Sequence, residues 1–234
     1  MSIRDNVVAL EQRIQSACAR ARRNRSEVVL VAVTKTRTPA EVDEVIKAGI
    51  TNIGENRVQE TATKKPQVAG KATWHLVGSL QTNKTKRALE LFDVVQSVDS
   101  LHLALELQRR CQQMSKHVTA FVEVNTSGEP SKHGVLPDAV PDLVTKLLKL
   151  DRVQLVGLMT IGPGLAIEDP EASRPCFRVL RSLAEDCRRR FGVPLPHLSM
   201  GMSSDFEVGI EEGATIVRIG TAIFGPRPAP AKPE

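Results

Sequence analysis

The chain has 234 residues, 41% of them hydrophobic and 25% charged, which is the composition of a globular protein with a substantial buried core. Lys and Arg (32) outnumber Asp and Glu (27), a mild excess that favours anionic ligands without requiring nucleic acid. No apolar run reaches membrane-spanning length, and the four widely spaced cysteines give neither a disulfide framework nor a zinc site, so a reducing cytoplasm fits best.

The predicted elements begin with an amphipathic helix that ends near Arg23. Its buried face is an apolar stripe at helical spacing, formed by Ile3, Val7, Leu10 and Ile14. Residues 28–33 then form an uninterrupted apolar run rich in β-branched side chains, the pattern of a strand buried on both faces of a parallel sheet. Thr38 follows as a helix cap, with Pro39 at the first helical position and Glu41 completing a capping box.

The same alternation of strand and helix continues along the chain. Further strands are predicted at residues 50–53, 73–77, 92–98, 118–124, 153–159, 197–199 and 215–219. Helices are predicted between these strands. One spans 57–68, one ends at 91, one begins at 101, one runs from 137 or 141 to 150, and two span 171–191 and 204–211. The leucines between 101 and 107 alternate as in a strand, but good helix formers and a cap at Asp99 or Ser100 favour a helix.

Eight strand–helix units predict an α/β protein, a single closed (β/α)8 TIM barrel over residues 1–225, with an extra helix at its N-terminus. An open doubly wound sheet is the alternative, because the sequence alone does not show closure. Residues 226–234 are rich in proline and are predicted to be a disordered tail.

In a barrel the residues that follow the strands meet at one face, where α/β folds bind ligands. Lys35 follows the first buried strand, where desolvation favours a neutral amine that can attack a carbonyl to form a Schiff base. Residues 200–204 and Gly220-Thr221 place glycines and hydroxyls after the last two strands, the usual phosphate site of this fold. A lysine for an aldehyde and a phosphate cup together describe a site for pyridoxal 5′-phosphate (PLP).

Each of these features also has a purely structural interpretation. Lys35 could be a surface lysine at the start of a loop, and Ser204 could simply cap a helix. Gly220 could relieve a tight turn. His75 could be a hydrogen-bonded histidine at a strand end, and Arg218 could pair with a carboxylate such as that of Glu212.

The motifs at the strand ends resemble those of the pyridoxal phosphate homeostasis protein family, in order and over almost the whole chain. The matching segments are VAVTKT (31–36), GENRVQE (54–60), WHLVG (74–78), NTSG (125–128), SKHG (131–134), GLMTI (157–161), LSMGMS (198–203) and VRIGTAIFG (217–225). Arg57 departs from the tyrosine that the family usually has at this position. The family is similar to the barrel domain of alanine racemase, so the resemblance implies the fold-type III PLP-binding barrel.

The resemblance also implies which residues bind PLP. The set is Lys35, Asn56, His75, Met202, Ser203, Arg218, Gly220 and Thr221. Lys35 carries the Schiff base, Arg218 faces the pyridine nitrogen, and Asn56 and His75 lie near the ring. The remaining residues hold the phosphate, Met202 through its backbone. No metal is implied.

The implied function is to hold PLP as a Schiff base on Lys35 and to release it to apo-enzymes. This is a role in intracellular PLP (vitamin B6) homeostasis and in amino-acid and keto-acid balance, without classical enzymatic turnover. A racemase of this fold needs a second base, a tyrosine from a second domain, and the chain has no tyrosine and no room for that domain. An arginine at the pyridine nitrogen also leaves the ring a poorer electron sink.

Two other functions stay open at this point. One is a small-domain PLP-dependent amino-acid racemase whose second base is Lys, Cys or His. The other is a barrel that binds nucleic acid or protein through basic clusters at residues 20–23, 84–87 and 188–190, but these lack neighbouring aromatics and are interpreted as solvated faces. We expect a monomer that binds PLP, with no nucleic acid or membrane as partner.

Overall fold

Eight parallel strands pair in chain order in the computed structural model, which describes residues 2–226, and the first strand also pairs with the last. The strands are β1 Val29–Val33, β2 Asn52–Glu55, β3 Thr73–Leu76, β4 Val94–Val98, β5 Val118–Glu123, β6 Val153–Met159, β7 His197–Ser199 and β8 Ile216–Ile219. The predicted closed barrel is confirmed and the open sheet is wrong, because β1 pairs with β8 from Val29↔Ile216 to Ala32↔Ile219. Apart from Pro226, the tail predicted at 226–234 lies outside the described residues.

Helices surround the barrel and connect its strands. In the described part of the chain they are α1 Ile3–Arg20, α2 Pro39–Lys47, α3 Val58–Lys64, α4 Thr85–Leu91, α5 Leu101–Gln113, α6 Val140–Leu147, α7 Arg174–Phe191, α8 Phe206–Glu211 and α9 Thr221–Phe224. Within residues 2–226 no helix combines the length and the apolar content needed to cross a bilayer. Nor do His, Cys, Asp and Glu side chains in that range form a group that could hold a metal ion.

The helix starts follow local capping chemistry. The Thr38 side chain accepts from the Glu41 N–H, and the Glu41 carboxylate accepts from the Thr38 N–H, so the predicted capping box of α2 is confirmed. Ser100 caps α5 by accepting from the Leu103 N–H, and Leu107 lies one turn beyond Leu103 on the buried face. The helical interpretation of this leucine-rich segment is therefore confirmed.

Several predicted boundaries differ from the structure by a few residues, and three of them have a visible local cause. The strand predicted at 50–53 is β2, displaced to Asn52–Glu55 because its pairing with β1 begins at Val31↔Asn52. The helix predicted from 171 begins as α7 at Arg174, after a 3-10 turn at Pro170–Ser173. The helix predicted from 204 begins as α8 at Phe206, because Asp205 occupies the cap position.

The barrel has two apolar cores. One lies between the sheet and the helices and includes the buried face of α1. The other fills the barrel interior and consists of Val31, Val94, Phe121, Met159 and Ile216. The inner core supports the polar residues that occupy the strand ends above it.

We expect Phe121→Ala to lower the free energy of unfolding by about 3–5 kcal/mol, because it removes a fully buried aromatic ring from the barrel interior. Urea unfolding measures the change. Ile167→Ala is the control, since that side chain is 80% exposed and its truncation should change stability by less than about 0.5 kcal/mol. Equal effects of the two substitutions would contradict the assignment of Phe121 to the core.

Candidate functional site

Lys35 lies at the carboxyl end of β1, where the chain leaves the barrel. Val31 belongs to the inner core, and a Cβ on Gly54 of the neighbouring strand would meet the side chains of both Val31 and Val33, so the two valines share the interior face. If the alternation continues for two residues beyond β1, Lys35 lies on the same face. The lysine is half-buried, and Thr36 next to it has a left-handed backbone (φ +64°) that turns the chain away from the barrel.

Arg218 on β8 is a buried cation below this mouth. Only 4% of the residue is exposed, and its guanidinium donates to Ser199 Oγ (2.6 Å) and to the Thr160 carbonyl (2.7 Å). Burial lowers the pKa of Arg218 to about 10, so the side chain still carries its charge at neutral pH. It does not pair with Glu212, because that carboxylate instead accepts from arginines on α7, namely Arg174, Arg178 and Arg181.

His75 on β3 belongs to the same interior network. Its Nε2 lies 3.1 Å from Asn52 Oδ1, and its Nδ1 lies 3.0 Å from Gln96 Nε2. Gln96 Oε1 accepts from Ser199 Oγ (2.6 Å), which links the imidazole to Arg218. Burial lowers the pKa of His75 to about 4, so the ring is neutral at physiological pH. The structural interpretation of His75, a hydrogen-bonded histidine, is confirmed, and its contact with a cofactor ring stays a prediction.

The loops after β7 and β8 bring several donors together. Ser203 Oγ accepts from the N–H groups of Gly220 and Ala222, both at 3.3 Å. A Cβ on Gly220 would lie 3.3 Å from the Val33 carbonyl of β1, so glycine lets these segments approach closely. Thr221 follows as the first residue of α9. A hydroxyl and backbone N–H groups arranged in this way fit a phosphate group.

Asp205 organises the same loop in a way that the sequence did not reveal. Its Oδ1 accepts from the Met202 N–H (2.7 Å), and its Oδ2 accepts from Ser173 Oγ (2.5 Å). The Met202 N–H, expected to bind phosphate, therefore has an acceptor within the protein. The alternative role of Ser204 as the helix cap is wrong, because Asp205 precedes α8.

Asn56 follows β2 and lines a cleft of about 340 Å³ beside the mouth. A Cβ on Gly78 would lie 2.4 Å from the Asn56 carbonyl oxygen, so the glycine allows the loops after β2 and β3 to touch. Arg57 and Lys84 line the same cleft, and Arg57 is exposed. The residue that departs from the family pattern thus borders the candidate site.

Glu123, at the end of β5, is a candidate site residue that the sequence analysis did not identify. It is only 4% exposed, and burial raises the pKa of its carboxyl to about 7, with Arg218 opposing the rise and Asp99 adding to it. The sequence did contain a sign of this residue, because Glu123 is a charged residue near the end of the otherwise largely apolar strand predicted at 118–124. The mouth therefore contains a carboxyl group that titrates near neutral pH.

Comparisons with known proteins identify close relatives. A family model described as alanine racemase, N-terminal domain, matches residues 6–228. Proteins called pyridoxal phosphate homeostasis protein in Aquifex aeolicus (strain VF5) and Pseudomonas aeruginosa are 45% and 39% identical to this chain. The Aquifex match covers 92% of this chain and 94% of that protein, and the Pseudomonas match covers 97% and 96%.

Solved structures show the same barrel. PipY of Synechococcus elongatus PCC7942, solved with PLP bound, is 34% identical, with a TM-score of 0.83 over 96% of this chain and all of that one. Alanine racemase of Clostridium difficile 630 is 14% identical, with a TM-score of 0.75 over 98% of this chain and 57% of that one. The second likeness concerns the fold alone.

We expect the neutral state of His75 to make stability depend on pH between its native pKa of about 4 and the ordinary value of 6.5. In this window the unfolded chain binds the proton and the native one does not, so stability is lost as the pH falls. The stability difference between wild type and His75→Gln should shrink by about 2 kcal/mol from pH 7.5 to pH 5. Urea unfolding at both pH values measures this difference.

A stability difference that does not change with pH would contradict the neutral imidazole. NMR titration of the His75 ring in the wild-type protein provides a second measurement, which does not require the variant to fold. We expect no protonation of the ring above pH 5.

Proposed function

Because the chain belongs to the pyridoxal phosphate homeostasis protein family, we propose that it binds PLP as a Schiff base on Lys35 and acts in intracellular vitamin B6 homeostasis without enzymatic turnover. The observation that carries the proposal is that one barrel mouth combines Lys35, the buried cation of Arg218 and the donors around Ser203. When bound, PLP supplies an aldehyde that condenses reversibly with primary amines.

The donor set fits the two ends of the cofactor. For the phosphate we propose the Ser203 hydroxyl, Thr221 and the N–H groups of Gly220 and Ala222, which donate to Ser203 Oγ at 3.3 Å and would turn to the phosphate oxygens when PLP binds; Gly220 leaves room for this approach. We retain Met202 among the proposed phosphate-binding residues because it precedes Ser203 in this loop. Its N–H donates to Asp205 in the structure.

For the pyridine nitrogen we propose the guanidinium of Arg218, whose hydrogen bonds to Ser199 and Thr160 fix its plane. Asn56 and His75 complete the set near the ring.

The charge state of Arg218 supports holding the cofactor rather than turning over substrates. With a pKa of about 10, the guanidinium remains protonated at neutral pH, so it donates to the pyridine nitrogen and leaves that nitrogen without a proton of its own. A neutral ring withdraws electrons less strongly, which disfavours carbanion chemistry at a bound amino acid. We propose that the cofactor instead passes to apo-enzymes, through which the protein affects amino-acid and keto-acid balance.

Racemisation with a second base is the less favoured alternative. Burial raises the pKa of the thiols of Cys18, Cys111, Cys176 and Cys187, so they are protonated at neutral pH. His75 is engaged on both nitrogens. These groups are therefore poor proton acceptors for a substrate.

We expect the PLP-loaded protein to show a Schiff-base absorption band that borohydride abolishes, with the reduced cofactor mapped to Lys35 by mass spectrometry. Lys35→Ala should lose the band. Lys84→Ala is the matched control, since Lys84 lines the cleft beside the same mouth and should leave the band intact. A covalent cofactor on another lysine of the wild-type protein would overturn the proposal.

We expect no exchange of the α-proton at enzymatic rates when the PLP-loaded protein is incubated with amino acids in deuterium oxide. The reason is the weakened electron withdrawal described above. Proton NMR follows the exchange. Turnover at ordinary enzymatic rates would instead support the racemase, whereas slow exchange of the bound amine without product agrees with a carrier.

A further inference from the structure

Lys64 of α3 is an almost fully buried lysine behind the end of β1. Its residue is only 6% exposed, and its Nζ donates to the Thr34 carbonyl (2.7 Å), to Glu55 Oε1 (2.7 Å) and to Glu60 Oε1 (2.8 Å). An ammonium has three N–H donors, so these contacts use all of them. Lys64, Glu55 and Glu60 are called the ammonium cluster below.

The ammonium cluster holds both chain neighbours of Lys35. On one side, Thr34 donates its hydroxyl to Glu55 Oε1 (2.6 Å), and its carbonyl accepts from Lys64. On the other side, the Thr36 N–H donates to Glu60 Oε1 (2.6 Å). The left-handed backbone of Thr36 is strained for a β-branched residue, so it needs support of this kind.

Stability alone is a weak explanation for the cluster. Glu55 is fully buried, and its Oε2 has no hydrogen-bond partner among the described residues. Burial raises the pKa of Glu55, and Lys64 opposes the rise. Apolar side chains of similar volume often stabilise such a position equally well, because buried charges must lose their hydration. What apolar side chains cannot do is hold a backbone N–H and a carbonyl in fixed directions.

We propose that Lys64 is a positioning residue, which through the ammonium cluster fixes the backbone of Thr34 and Thr36 and so presents the Lys35 amine to PLP at the barrel mouth. The inference rests on the function proposed above. It assigns a role to residues on the outer side of the barrel wall, away from the cofactor donors.

The test uses two variants that leave no charge buried alone. Glu60→Ala removes the acceptor of the Thr36 N–H from a partly exposed side chain, and the double variant Glu55→Gln/Lys64→Met removes both buried charges at similar volume. Asp142→Asn is the control, because Asp142 also pairs with a lysine one helical turn away, Lys146, on an exposed surface.

We expect both cluster variants to fold, by circular dichroism and thermal unfolding, but to bind PLP at least about tenfold more weakly, because hydrogen bonds to charged groups are lost beside Lys35. The pH midpoint of the Schiff-base band should also shift, which a purely structural role would not cause. Asp142→Asn should match the wild type in both measurements.

Wild-type PLP affinity and an unchanged midpoint in both folded variants would overturn the positioning role while leaving the proposed function intact. A wild-type protein without a Lys35-linked band would overturn the proposed function, and the positioning role with it. The two failures are therefore distinguishable in one set of spectra.

Discussion

The cost of burying the Arg218 cation inside the barrel is the constraint on which the site depends. A guanidinium removed from water must find acceptors, and the barrel supplies them from Ser199 and Thr160. Ser199 is in turn bonded to Gln96, and Gln96 to His75. The upper interior of the barrel is therefore a connected polar layer resting on an apolar one, and both are needed to place a charged group beneath the mouth.

The residues around Lys35 at the end of β1 contact different parts of the protein on the two faces of the sheet. Val31 and Val33 face the interior, whereas the Thr34 side chain bonds to Glu55, which Lys64 of α3 also contacts. Neighbouring residues thus belong to different environments: one is at the mouth where we propose that PLP binds, and the other holds the backbone. The alternation of a β-strand allows the lysine proposed to react with PLP and the residue that supports it to be adjacent in sequence.

The sequence predicted the fold well because its signals are local. Apolar runs, the Thr38 capping box and the alternation of strand with helix need only neighbouring residues to be recognised. The predicted start of α8 is too early, because Asp205 lies before the helix and bonds to Ser173, a partner far away in sequence that local patterns do not reveal. Gln96 and Glu123 were missed for a related reason. The partners of a polar strand residue in the barrel interior come from other strands, and the sequence does not show which strands close the barrel around it. The family resemblance identified the residues proposed to bind PLP, but not the residues that hydrogen-bond to them, such as Ser199 and Asp205.

The hydrogen bonds of this polar layer also have fixed donors and acceptors. A guanidinium can only donate hydrogen bonds. Ser199 Oγ therefore accepts from Arg218 and donates its hydroxyl to Gln96 Oε1. That choice leaves the Gln96 amide nitrogen facing His75 Nδ1, and the imidazole must then carry its single proton on Nε2, toward Asn52. The tautomer of a histidine on β3 is thus dictated by the buried cation on β8, three strands away around the closed barrel.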